Sequence, residues 1–190
     1  MSHLSRLLER VRACDLCAVH LPMGPRPVLQ AGVGARILIA GQAPGRRVHE
    51  SGVPFEDPSG DRLREWMGVS AEDFYDANRV AILPMGFCYP GSGKSGDNPP
   101  RKECAPEWRQ QLLDALPNIE LTIVLGKYAQ AYHLGAGKSV TAAVESWRAY
   151  WPTHLPLPHP SPRNQAWFKR NAWFESEVLP SLRKRVRALL

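Results

Sequence analysis

Apolar residues fall in two rhythms along this chain. Leu4, Leu7, Leu8 and Val11 recur at three- and four-residue steps, which predicts a short helix over Leu4–Arg12. Arg36-Ile-Leu-Ile-Ala-Gly41 and Leu121-Thr-Ile-Val-Leu-Gly126 are instead unbroken apolar runs closed by glycine, the pattern of strands buried on both faces. Val80–Leu83 is a third such run. Leu155-Pro-Leu-Pro158 reads as a fourth, and its two prolines suit an edge or irregular segment, because proline has no N–H to give a neighbour. Helices are predicted from Ser59 or Asp61 through Met67, over Glu107–Leu116, over about Lys127–His133, and over Trp173–Leu189 at the end. Short apolar strands alternating with helices predict an α/β domain with a parallel central sheet. No repeat, low-complexity tract or linker divides the chain, so residues 1–190 are expected to form a single domain.

Sites in such folds lie beyond the carboxyl ends of the strands. That rule singles out Gly41–Phe55, Pro84–Cys104 and His159–Asn164. The first begins Gly41-Gln-Ala-Pro-Gly45, a turn whose glycines let backbone N–H groups approach a ligand. It is not a nucleotide phosphate loop, because no Gly-Lys-Ser/Thr follows at the required spacing. Gly52-Val-Pro-Phe55 then offers an aromatic ring on a turn, suited either to stacking on a base or to the core. His159-Pro-Ser-Pro-Arg-Asn164 joins a histidine to a proline-stiffened loop. Trp167, Phe168, Lys169, Arg170 and Trp173 follow. They suit either a nucleic-acid face or an amphipathic helix with buried rings and solvated charges.

Charge and cysteines narrow the function classes. Lys and Arg number 24 against 18 Asp and Glu, a net charge of +6, with an isoelectric point near 9.4. That balance permits binding to nucleic acid and does not require it. No apolar run approaches the roughly 20 residues that span a bilayer. Met1–Val11 lacks the apolar core of a secretory signal, so the expected compartment is the cytoplasm. Four cysteines in such a chain are a poor disulfide framework. Cys14-x2-Cys17 and Cys88-x15-Cys104 are then either unrelated thiols or one soft-metal site, and the spacing suits zinc and a [4Fe–4S] cluster alike.

Taken in order, the four cysteines, Gly41–Gly45, Gly52–Phe55 and His159-Pro-Ser161 resemble the uracil-DNA glycosylase superfamily, in particular its iron–sulfur branch. The likeness runs from about Cys14 to the last helix. It implies a four-stranded parallel sheet flanked by helices, and an enzyme that flips uracil out of DNA and hydrolyses its glycosidic bond. It implies that Phe55 stacks on the base, that Gly41, Gln42 and Ala43 line its edge, and that His159 donates to the uracil O2. It implies that Ser161, Pro162, Arg163 and Asn164 enter the minor groove. Cys14, Cys17, Cys88 and Cys104 would hold a structural [4Fe–4S] cluster, with zinc as the alternative. The expected partner is DNA containing uracil or abasic sites, with no membrane, and the expected state is a monomer.

Three positions depart from the family pattern. Gln42 replaces an acidic residue, and Val48-His49-Glu50 stands where Glu-Asp is usual. Pro84 occupies the place of the asparagine that reads uracil, four positions before Cys88. Replacement readers are Asn164, Gln42, or backbone near Met85 and Gly86. His49, Glu50 and Asp57 are candidates to position the attacking water. A histidine in the first-motif loop links one branch of the superfamily covalently to the sugar, which makes His49 a candidate for that chemistry too. Neither motif holds a lysine for a Schiff base, so a monofunctional enzyme is expected. The alternative is a non-catalytic or covalent binder of abasic or uracil DNA.

Overall fold

The computed structural model describes residues 2–190. Helix α1 (His3–Arg12) starts where the Ser2 hydroxyl accepts the Ser5 N–H, and it buries Leu4, Leu7, Leu8 and Val11. Strand β1 (Ile37–Ala40) leads into helix α2 (Arg46–Ser51), helix α3 (Pro58–Met67) and helix α4 (Ala71–Tyr75) before strand β2 (Val80–Ile82). A small hairpin, β3 (Ser92–Gly93) with β4 (Gly96–Asp97), precedes helix α5 (Cys104–Asp114). Strand β5 (Leu121–Leu125), helix α6 (Gly126–Leu134), helix α7 (Val140–Glu145) and strand β6 (His154–Leu157) follow. Helix α8 (Gln165–Arg170) and helix α9 (Leu179–Leu189) end the chain.

The sheet order is β2-β1-β5-β6, and all three pairings are parallel. Every residue of β1, β2 and β5 is buried, which is why these strands are unbroken apolar runs rather than alternating ones. Strand β6 lies at the edge, where Pro156 costs the sheet least. Ile37 and Ile39 face a layer that includes Leu63, Trp66 and Phe174 and the apolar side of α9. Leu38 faces the opposite layer, with α1 and with Trp108 and Leu112 of α5. Among the described residues no helix is long and apolar enough to cross a membrane.

Three helices escape the periodicity argument for a physical reason. Helix α2 is six mostly polar residues, started by the Pro44-Gly45 turn and stopped by Gly52 at φ 75°. Helices α4 and α7 are equally short, and side chains of Ser70 and Ser139 cap them. The closing segment is not the single helix expected over Trp173–Leu189. Phe174–Val178 forms a π-turn, and α9 proper starts only at Leu179. Trp167, Phe168 and Trp173 pack against the core, with Trp167 edge-on to Phe174 at 5.5 Å. The aromatics after the histidine motif are therefore structural, while Lys169 and Arg170 are exposed.

Arg109 of α5 is 1 % exposed and fixes the end of β2. Its Nη1 donates to the carbonyls of Leu83 (3.0 Å) and Pro84 (3.1 Å), and its Nη2 lies 2.7 Å from His133 Nε2. Burial first, and then the Arg109 charge, push the His133 pKa down to about 3, so the imidazole is neutral and accepts. Arg109→Met leaves two carbonyls and a ring nitrogen without this donor. It is expected to lower stability by about 2–4 kcal/mol in urea unfolding.

Candidate active site and cysteine cavity

The carboxyl ends of β1, β2 and β6 open on one cavity of about 320 Å³. The turn after β1 supplies Gly41, Gln42 and Ala43, and the segment after β6 supplies His159, Ser161, Pro162 and Arg163. Phe55, Asp57, Pro84 and Asp97 complete the wall around them. The floor is set by backbone pairing that extends the sheet. The N–H of Met85 donates to the Gly41 carbonyl (2.9 Å), and that of Gly86 donates to Gln42 (3.0 Å). Both amides are thus spent on the fold and are not free to read a ligand. The Met85 side chain packs with Ala40, Val124 and Ala129, outside the cavity wall.

Phe55 is held in a strained conformation. Its φ of 56° lies in the left-handed region, rare for a bulky L-residue. Gly60 packs so tightly against the Phe55 carbonyl that no Cβ fits there. Arg64 Nη1 donates to the same carbonyl at 3.5 Å. Asp57 caps α3 by accepting the Gly60 N–H at 2.8 Å, with Pro58 at the first helical position. The ring of Phe55 stands edge-on to Phe74 at 6.2 Å. Its tip reaches to within 3.6 Å of where a side chain at Gly41 would begin. These contacts fix the ring in the cavity wall beside Gly41.

His159 is fixed by its own loop. The Ser161 N–H donates to His159 Nδ1 at 3.2 Å. Burial lowers the His159 pKa, against the opposing pull of the Asp57 and Asp97 charges. A neutral ring that accepts at Nδ1 carries its proton on Nε2, so the histidine presents a donor. Asn164 holds this geometry from below, its Nδ2 donating to the His159 carbonyl at 2.8 Å. Arg62 Nη1 donates to the Ser161 carbonyl at 3.2 Å, and the Arg163 N–H donates to Ser161 Oγ at 3.2 Å.

Several expected site residues lie elsewhere. Asn164 is a loop brace and not part of the cavity wall. His49 is 6 % exposed and faces inward, its ring 6.1 Å from that of Tyr89. It points away because α2 turns its Val48 side, and not its His49 side, to the cavity. Glu50 is exposed and paired with Arg46 at 2.9 Å. Of the three candidates to position water, the cavity holds only Asp57. It also holds Asp97, which the sequence analysis passed over. The signal was the Gly93-Lys-Ser-Gly96 turn, whose flanking glycines mark a hairpin.

The four cysteines line a second cavity, together with Pro25, Pro27, Phe87, Arg101 and Trp108. All four are free thiols. Trp108 Nε1 donates to Cys14 Sγ at 3.2 Å, and the Phe87 N–H donates to Cys104 Sγ at 3.4 Å. Burial pushes Cys88 up to about 11 and Cys104 up to about 12, and it raises Cys17 as well. Among the described residues, no three His, Cys, Asp or Glu close into a metal-holding group. The thiols therefore share a cavity without a finished ligand geometry. Their chemistry fits a soft metal group, since four sulfurs line one cavity and N–H donors already point at two of them.

Comparison with known proteins bears on the family and the fold. A family profile described as "Uracil DNA glycosylase superfamily" matches residues 30–183. A Type-4 uracil-DNA glycosylase of Thermotoga maritima is 33% identical over 79 residues, which span 40% of this chain and 41% of that protein. One from Saccharolobus solfataricus is 26% identical over 136 residues, spanning 70% of this chain and 59% of that protein. The matched segments thus span about two fifths and three fifths of those relatives. The solution NMR structure of a Methanosarcina acetivorans protein, described as a candidate uracil DNA glycosylase, shares the fold at 18% identity. Its TM-score is 0.50, over 84% of this chain and 98% of that one. This chain belongs to the uracil DNA glycosylase superfamily.

Proposed function

We propose that this protein hydrolyses the N-glycosidic bond of deoxyuridine in DNA, leaving an abasic site for base excision repair. The observation that carries this reading is His159, held through Nδ1 in the neutral form and lining the same cavity as Phe55, which leaves its Nε2 proton as the donor. Breaking the glycosidic bond leaves negative charge on the base, and a fixed donor in a water-poor site stabilises that charge. Flipping the base costs a few kcal/mol of lost stacking, which the Phe55 face offsets. Asp57 lies in the same cavity with one carboxylate oxygen tied to α3, and we assign it the placement of water. Ser161, Pro162 and Arg163 form the rim that meets the DNA. Without a lysine in either motif, excision occurs with no strand cleavage.

We further propose that Cys14, Cys17, Cys88 and Cys104 hold a [4Fe–4S] cluster in a structural role. Bound there, the group would tie the segment after α1 to the loop between β2 and α5. Protein purified without oxygen should be brown, with broad visible absorption and iron in excess of zinc. A colourless preparation with one zinc per chain would assign the site to zinc instead.

Oligonucleotides containing uracil, incubated with the protein and then treated with alkali, test the main reading. Alkali-dependent breaks are expected at uracil in single- and double-stranded DNA. A second reading, a binder that does not turn over, draws on Pro84 and the engaged amides beside it. Tight binding to abasic DNA with no breaks would select that reading.

Three variants probe the site. His159→Ala removes the anion donor and should slow single-turnover excision by about 10²–10³. Since the folded His159 pKa lies below 6.5, the working neutral form persists as pH falls through that value. The rate should therefore persist to lower pH than an ordinary histidine would allow, whereas an exposed His159 would lose it as pH falls through about 6.5. Gly60→Ala forces the Phe55 turn to move, so it should weaken uracil binding about as much as Phe55→Ala does.

A further inference from the structure

One polar wall of the cavity is left without a role. It is the β3–β4 hairpin, whose last residue is Asp97. Ser92 Oγ donates to Asp97 Oδ1 at 2.9 Å and lies 2.7 Å from Tyr89 Oη. This chain fixes one carboxylate oxygen. The other, Oδ2, turns toward the first-motif loop, 3.4 Å from where a side chain at Gly45 would begin.

The hairpin is tied to both motif loops. Gln42 Nε2 donates to the Asn98 carbonyl at 3.3 Å, and the Asn98 N–H donates to Gly91 at 2.8 Å. Gly96, at φ 129°, meets the Arg163 guanidinium, and a Cβ there would stand 2.8 Å from Nη1. Asp97 is therefore held at the cavity mouth from two sides.

The groups that might otherwise read a base are engaged. Pro84 offers no side-chain polar atom. The amides of Met85 and Gly86 serve the sheet, and the NH₂ groups of Gln42 and Asn164 bond to carbonyls. Asp57 spends one oxygen on the start of α3, and its other is the one assigned to water. A ring N–H on a bound base needs an acceptor that faces no competing donor, and an ionised carboxylate only accepts.

We propose that Asp97 is a specificity-determining residue, whose free oxygen accepts the ring N–H of a flipped deaminated base in place of a side-chain reader at Pro84. The inference rests on the glycosylase reading. It favours bases with an N–H beside a carbonyl, such as uracil. Cytosine presents a lone pair at N3, so two acceptors would face each other with neither satisfied.

Asp97→Ala and Asp97→Asn test this by two readouts: single-turnover excision of uracil, and calorimetric binding of free uracil and free cytosine. Circular dichroism and melting temperature confirm that the exposed hairpin change leaves the fold intact. Asp97→Ala should weaken uracil binding and excision by about 10–100-fold and narrow the preference over cytosine, matching one lost hydrogen bond to a charged acceptor. Asp97→Asn, whose amide oxygen accepts, should recover most of the loss. Equal losses for both bases would overturn the proposal. So would slower excision at unchanged uracil affinity, the signature of a carboxylate that positions water. Unchanged binding and excision would overturn it too. Wild-type protein that excises no base but binds uracil through Asp97 would sink the glycosylase reading and keep this one. Failure of wild type to bind or excise uracil would sink both.

Discussion

Burial of β1 on both faces is the constraint on which this molecule depends. A strand covered by α3 and α9 on one side, and by α1 and α5 on the other, has no solvent face. Its neighbours are parallel, so each connection travels over a face and returns. Parallel strands end at the same edge of the sheet. Three loops with no sequence proximity, after β1, β2 and β6, are thereby delivered to one cavity. The backbone bonds from Met85 and Gly86 to Gly41 and Gln42 carry the pairing past the strand ends, which makes the floor of that cavity as rigid as the sheet.

On that rigid floor the chain places groups of opposed character. His159 is a neutral donor, while Asp57 and Asp97 supply negative charge on the same cavity. The proposed reaction, with a departing anion and a cationic sugar centre, would use both, at separate positions. Each group is fixed through one atom and presents another. His159 is held at Nδ1, Asp57 and Asp97 each at Oδ1. Preorganisation of this kind means that little rearrangement is needed when charge develops. Backbone strain at Phe55 belongs to the same design, since the ring is aimed by a conformation that only the surrounding contacts sustain.

The cysteine cavity and the cavity at the strand ends are separated by a short stretch of chain. Pro25 and Pro27 line the first, and Val28 lines the second. Between them Arg26 reaches out, its Nη1 donating to the carbonyls of His49 (2.6 Å) and Glu50 (2.8 Å) at the end of α2. The same guanidinium lies against Gly52, where a Cβ would clash with it at 2.6 Å. The turn that carries Phe55 therefore leans on the segment that walls the thiols. A structural role for a group held by those thiols is consistent with this arrangement.

The sequence by itself determined the sheet, because buried parallel strands must be continuous apolar runs, and the runs over residues 36–41, 80–83, 121–126 and 155–158 can be read directly. It also determined which loops matter, since the motifs around Gly41, Phe55 and His159 fall at strand ends. Tertiary structure alone decided which side chains enter the cavity. Helix α2 turns His49 inward, and the loop after β6 spends Asn164 on the His159 carbonyl, choices that rest on helix phase and on how the folded loop closes on itself. Asp97 was hidden for the converse reason. A two-residue strand has no hydrophobic period to announce it, and only the folded contacts with Gly45, Gln42 and Arg163 bring it to the site. The four cysteines lie between these cases: their spacing proposed a shared site, and the fold was needed to bring residues 14 and 104 to one cavity wall.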